Sequence, residues 1–204
     1  CALPILVDFG MFPSLSVPTM MNNDIYGAIG KVNGAIEHYP EGHLSEWFKQ
    51  GYNEDVPIWM FRQQSVPHLV KNLKLFIERM NIGVIILCGA GARSIMTGEE
   101  EGCGEMLYSS IVLSAIRQID VKSFLFTIGV NTSGMRRSES LFNALENIQM
   151  LILNGAHYGG CVLEKNMDCF QYYKSAYEFV VDQHSHQKSP VHEMILTAVL
   201  GGFG

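Results

Sequence analysis

The residues of this chain best suited to chemistry fall in two stretches. The first, VIILCGAGARSIMTGEEEGCGEMLYSS from Val84 to Ser110, sets glycines, one arginine and four glutamates between an apolar run and a helix-like pattern. Backbone N–H groups at Gly89 and Gly91, with the Arg93 guanidinium and the Ser94 hydroxyl, are donors of the kind that hold an anion. No G-x-G-x-x-G or Walker pattern is complete here, so the ligand is not assigned to the nucleotides; the alternative is a tight turn after a buried strand. Glu99 and Glu100 are the candidate acid or base, because adjacent carboxylates disfavour each other's ionisation and raise a pKa. With Glu101 and Glu105 they also fit a solvated acidic loop that favours the N-terminus of the next helix. The second stretch is NTSGMRR, Asn131 to Arg137. Asn131, Ser133, Gly134 and Arg136 are its candidate ligand contacts, although Arg136 and Arg137 can instead pair with the glutamates.

Other groups weigh less. His184, His186 and His192 in HSHQKSPVH supply three ligands of a zinc set, but no fourth ligand is suitably spaced, so no metal is expected. Cys103, between Gly102 and Gly104 near a helix start, can have a lowered pKa; His157 is the only base in view for it. The five cysteines, at 1, 88, 103, 161 and 169, form no C-x-x-C and are odd in number. They read as reduced thiols of a cytoplasmic protein, with buried cysteines serving as small hydrophobes. An N-terminal Cys1 can in principle act as a nucleophile with its own amine as base, but a boundary of the sequence is the simpler reading.

The elements that must position the two stretches follow from periodicity. Leu3–Phe9 reads as a strand, residues 10–23 as a loop with Pro13 and Pro18, and Ile25–Glu37 as a helix weakened by Gly27, Gly30 and Gly34, about 1 kcal/mol each. HLSEWFKQ is a short amphipathic helix. Val56–Phe61 is a strand whose Pro57 belongs at a sheet edge or a strand start. Ser65–Met80 is the clearest helix, with Ser65 as N-cap and Val66, Leu69, Leu73, Phe76, Ile77 and Met80 at helical spacing. Val84–Cys88 and Ser123–Val130 read as strands buried on both faces. Met106–Ile119 is a helix with Leu107, Ile111, Ala115 and Ile119 on one stripe. A helix capped by Ser138 points Leu141, Leu145 and Ile148 inward, and Met150–Leu153 reads as a strand. Asp168–Val181, with Phe170, Tyr173, Tyr177 and Val180, and a helix from Ser189-Pro190 to Gly201-Gly202 complete the chain.

Strands alternating with helices predict one α/β domain over residues 1–204: a doubly wound, mostly parallel, Rossmann-like sheet with helices on both faces. Ligands of such sheets bind beyond the carboxyl ends of the strands. If strands 84–88 and 123–130 are neighbours, the two stretches face each other across one crevice. Composition limits the partners. Hydrophobic residues are 48% and charged residues 17% of the 204-residue chain, as in a folded globular protein. The net charge is −6 with a pI near 5.6, which disfavours nucleic acid as a partner. No apolar run approaches the roughly 18 residues of a membrane span.

Three motifs taken in order resemble an uncharacterised, mainly archaeal and bacterial family, domain of unknown function eleven fifty-two. GAGARSIMTGEE (Gly89–Glu100) falls on its D-G-G-T-D-S-L-M-R-G-D-E, GVNTSGM (Gly129–Met135) on its G-L-G-x-D-G-E, and AVLGGFG (Ala198–Gly204) on its closing A-L-x-G-x-Y-G, with order and spacing agreeing over residues 56–204. Five family acids are replaced, by Gly89, Arg93, Ser109, Ser133 and Met135, while Glu99 and Glu100 persist. Clustered carboxylates suit a hard cation or acid–base work; these losses imply that any metal of the family is not bound here in the same way. Members also begin with a glycine-rich, aspartate-containing segment that nothing in this sequence matches, so an upstream piece of the fold is expected to be missing or lost. Two readings follow: a small-molecule-binding α/β protein, hydrolase or transferase, with Arg93 as the anion contact and an unspecified cofactor; or a catalytically degraded relative kept for assembly as a homo-oligomer or for partner binding.

Overall fold

The computed structural model describes residues 6–10, 19–22, 25–28, 40–56, 58–91, 95–97, 107–130, 138–183 and 188–202. In chain order they form β1 (Leu6–Gly10), β2 (Thr19–Asn22), β3 (Ile25–Ala28), α1 (Pro40–Tyr52), β4 (Ile58–Arg62), α2 (Val66–Met80), β5 (Val84–Ala90), α3 (Leu107–Ile116), β6 (Lys122–Ile128), α4 (Ser138–Leu153), α5 (Asp168–Gln183) and α6 (Pro190–Val199). The chain divides into two compact units: Cys1–Gln64 with Asn166–Lys188, and Ser65–Lys165 with Ser189–Gly204. It is a mixed α/β protein in which β1 and β4, and likewise β5 and β6, pair in parallel.

The first unit is built on a four-stranded sheet of order β1-β4-β3-β2. Strand β4 is central. It starts directly after Pro57, which has no N–H to give to a ladder, and its Ile58, Trp59, Met60 and Phe61 are all buried. β3 pairs antiparallel with both β4 and β2. This corrects two expectations. Residues 25–28 are a strand, not the start of a helix, and 19–22 are a strand inside the expected loop. Ile25 and Tyr26 favour a pleated surface, and the residues joining β2 to β3 are Asn23-Asp24, types that suit short turns; pairing with β4 settles what local propensity left open.

Helix α1 packs beside α5 within this unit. The Trp47 indole N–H donates to Ser175 Oγ at 3.1 Å, and Ser45 Oγ donates to the Val56 carbonyl at 2.7 Å, tying α1 to the run into β4. Tyr52 and Tyr172 meet with ring centroids 5.9 Å apart. Phe170 is wholly buried. Burial, with the charge of Tyr177 as a smaller cause, pushes the Tyr173 phenol from 10.0 to about 12.

The second unit rests on α2, whose Leu69, Leu73 and Phe76 form a buried stripe and which packs on α3. Ser65 does occupy the N-cap, but its hydroxyl lies 3.1 Å from His68 Nδ1 and makes no capping bond to the backbone. The helix ends at Asn81, φ 51 and ψ 51, a left-handed conformation that asparagine tolerates. In α3 the buried residues are Val112, Ala115 and Ile116, so the stripe is rotated from the expected one; Ala115 is common to both, and Ile111 and Ile119 are half-buried. Of the residues expected inward on α4, Leu145 is exposed and Ile148 half-buried; Ala144 is the buried one. The side chains of Leu107 and Leu141 lie outside the description.

Three further expectations are overturned. Met150–Leu153 is the last turn of α4, not a strand: the Asn154 N–H donates to the Met150 carbonyl and Gly155, φ 67, caps the end. Strands β5 and β6 are not covered on both faces. Val84, Ile86 (64% exposed) and Phe126 (53% exposed) lie on one open face, where Phe124 is partly shielded by an edge-on Tyr158 ring at 5.4 Å and by the Lys122 ammonium at 5.1 Å. Finally Cys88, Cys161 and Cys169 are free but exposed, not buried. Among the described residues no helix is long and apolar enough to cross a membrane.

Two outcomes follow. Phe76→Ala should lower unfolding free energy by about 3–5 kcal/mol through cavity formation, whereas Phe142→Ala, at a position 67% exposed, should stay within about 0.5 kcal/mol; denaturant titration of both variants checks the core. The raised Tyr173 pKa favours the neutral phenol in the folded state, so its stabilisation is complete below pH 10.0 and is lost as pH rises through about 12. In a phenolate absorbance titration, Tyr173→Phe should remove a step near pH 12 and flatten the loss of stability in that window.

Candidate functional site

The site expected from the sequence depends on β5 and β6 being neighbours, and they are. They pair in parallel from Val84↔Lys122 to Ala90↔Ile128 without a register shift. Their carboxyl ends are therefore level, and the chain leaves both at one edge of the sheet. The two exits share a backbone device. Gly91 has φ 80 and Gly129 has φ 63, a region that costs a residue with Cβ about 1–2 kcal/mol. Glycine at each exit lets the chain turn off the strand at once.

Gly89 lies inside β5, opposite Thr127. The Gly91 N–H donates to the Ile128 carbonyl at 2.9 Å, extending the ladder one residue past the strand. That N–H is committed to the sheet, so the part left to Gly91 at the site is conformational. Arg93, Ser94, Glu99, Glu100, Asn131, Ser133, Gly134 and Arg136 lie outside the described residues, as do Cys103, His184 and His186. Within the first stretch, residues 95–97 are described, and they carry a contact that the sequence did not signal. The Asn147 side-chain N–H donates to Met96 Sδ at 3.9 Å. It ties the middle of the stretch that follows β5 to α4, the helix that follows the second stretch. A sulfur acceptor so far along the chain has no sequence signature.

Cys88, one residue before Gly89, is exposed overall, but partial desolvation of its thiol raises the pKa, which disfavours the thiolate. His192, in the first turn of α6, has its pKa lowered by burial and is a neutral imidazole at neutral pH. His157 is exposed. Among the described residues no three His, Cys, Asp or Glu side chains converge as a metal site.

No family model, no curated protein and no solved structure is significantly similar to the chain.

The exits give a direct test. Gly91→Ala and Gly129→Ala should each cost about 1–2 kcal/mol of stability. Gly160→Ala is the control, since an added Cβ there meets nothing within 4 Å and needs no positive φ. Equal unfolding midpoints for all three variants would remove the positive-φ requirement at the strand ends.

Proposed function

We propose that the chain is a small-molecule-binding α/β protein of hydrolase or transferase type, whose site lies beyond the carboxyl ends of β5 and β6. The observation that carries this is the level, parallel pairing of those strands, because ligands of α/β proteins collect where loops leave adjacent strand ends. In this reading Arg93 supplies the anion contact, Asn131, Ser133, Gly134 and Arg136 complete the ligand's polar surroundings, and Glu99 or Glu100 moves a proton. The wider fold is doubly wound and Rossmann-like about its parallel pairs, β1–β4 and β5–β6, the protein is cytoplasmic, and the chain is a diverged relative of the family eleven fifty-two; the β5-α3-β6 crossover supports the fold and the retained motif order the kinship.

Thermal unfolding with inorganic phosphate, and then with a panel of phosphorylated and carboxylated metabolites, tests the reading. At least one compound should raise the midpoint, by about 2.7 kcal/mol of stabilisation at a hundredfold excess over Kd. Arg93→Ala should abolish that protection. Glu100→Gln should keep it and stop any turnover. Binding and turnover unchanged in both variants would sink the assignment.

A second reading, a catalytically degraded relative kept for assembly as a homo-oligomer, is favoured by a different observation. The face of β5–β6 bearing Val84, Ile86 and Phe126 is open, and Met150, Ile152 and Leu153 of α4 are exposed as well; large exposed apolar surfaces mark association sites. Light scattering should then give a multiple of the chain mass. Ile86→Asp with Phe126→Asp should return the monomer mass while the far-ultraviolet circular dichroism stays unchanged. A wild-type monomer at all concentrations would exclude it.

A further inference from the structure

We draw no further inference here: the strongest candidate, the open apolar face of the β5–β6 pair at Val84, Ile86 and Phe126, already carries the assembly reading above, and nothing in the structure shows what covers it.

Discussion

A parallel pair of strands cannot be closed by a turn, and that constraint organises the second unit. To bring β6 alongside β5 in the same direction, the chain must travel back along the whole length of the pair. Helix α3 makes part of that return, and its Val112, Ala115 and Ile116 are buried. The same constraint puts the exits of both strands at one edge. The candidate site is a consequence of that geometry: two connections must start from nearly the same place, and whatever side chains they carry begin there. An antiparallel pair would have sent them to opposite ends.

The two units solve the problem of covering a sheet differently. In the first, β4 has a neighbour on each side and buries four consecutive residues, with α1 held near its middle by two polar bonds, Ser45 to the Val56 carbonyl and Trp47 to Ser175. These are hydrogen bonds that fix register while apolar burial supplies the driving force. In the second, the β5–β6 pair is only partly shielded on one face, where Ile85 and Leu87 are half-buried but Leu125 is exposed, and it is open on the other at Val84 and Ile86. A two-stranded sheet has little stability of its own, so α2 and α3, through Leu69, Leu73, Phe76 and Val112, carry most of the burial there.

What was legible in the sequence was what local pattern determines. The helical stripe of α2, the Ser189-Pro190 start of α6 and the apolar runs of β5 and β6 declare themselves within a dozen residues. Residues 25–28 do not, because Ile-Tyr-Gly-Ala fits either state until β4 pairs with it. Met150–Leu153 reads as strand or helix with equal ease, and Asn154-Gly155, a helix stop, was the signal that could have decided it. Apolarity predicted that β5 and β6 would be strands; it could not say whether both faces are covered, which depends on where other elements pack. At the site, the exits and the glycines that shape them were readable. The Asn147–Met96 contact was not, since it joins residues that only the fold brings together.

Both tryptophans of the chain lie in the first unit, Trp47 on α1 and Trp59 on β4, each buried. The second unit, with the strand ends and the open sheet face, has none. Indole emission is thus a private reporter of the first unit, blind to events at the β5–β6 exits unless the two units communicate. A change in that emission on perturbing the strand ends would therefore report coupling between the units, so that communication between them becomes something that can be seen.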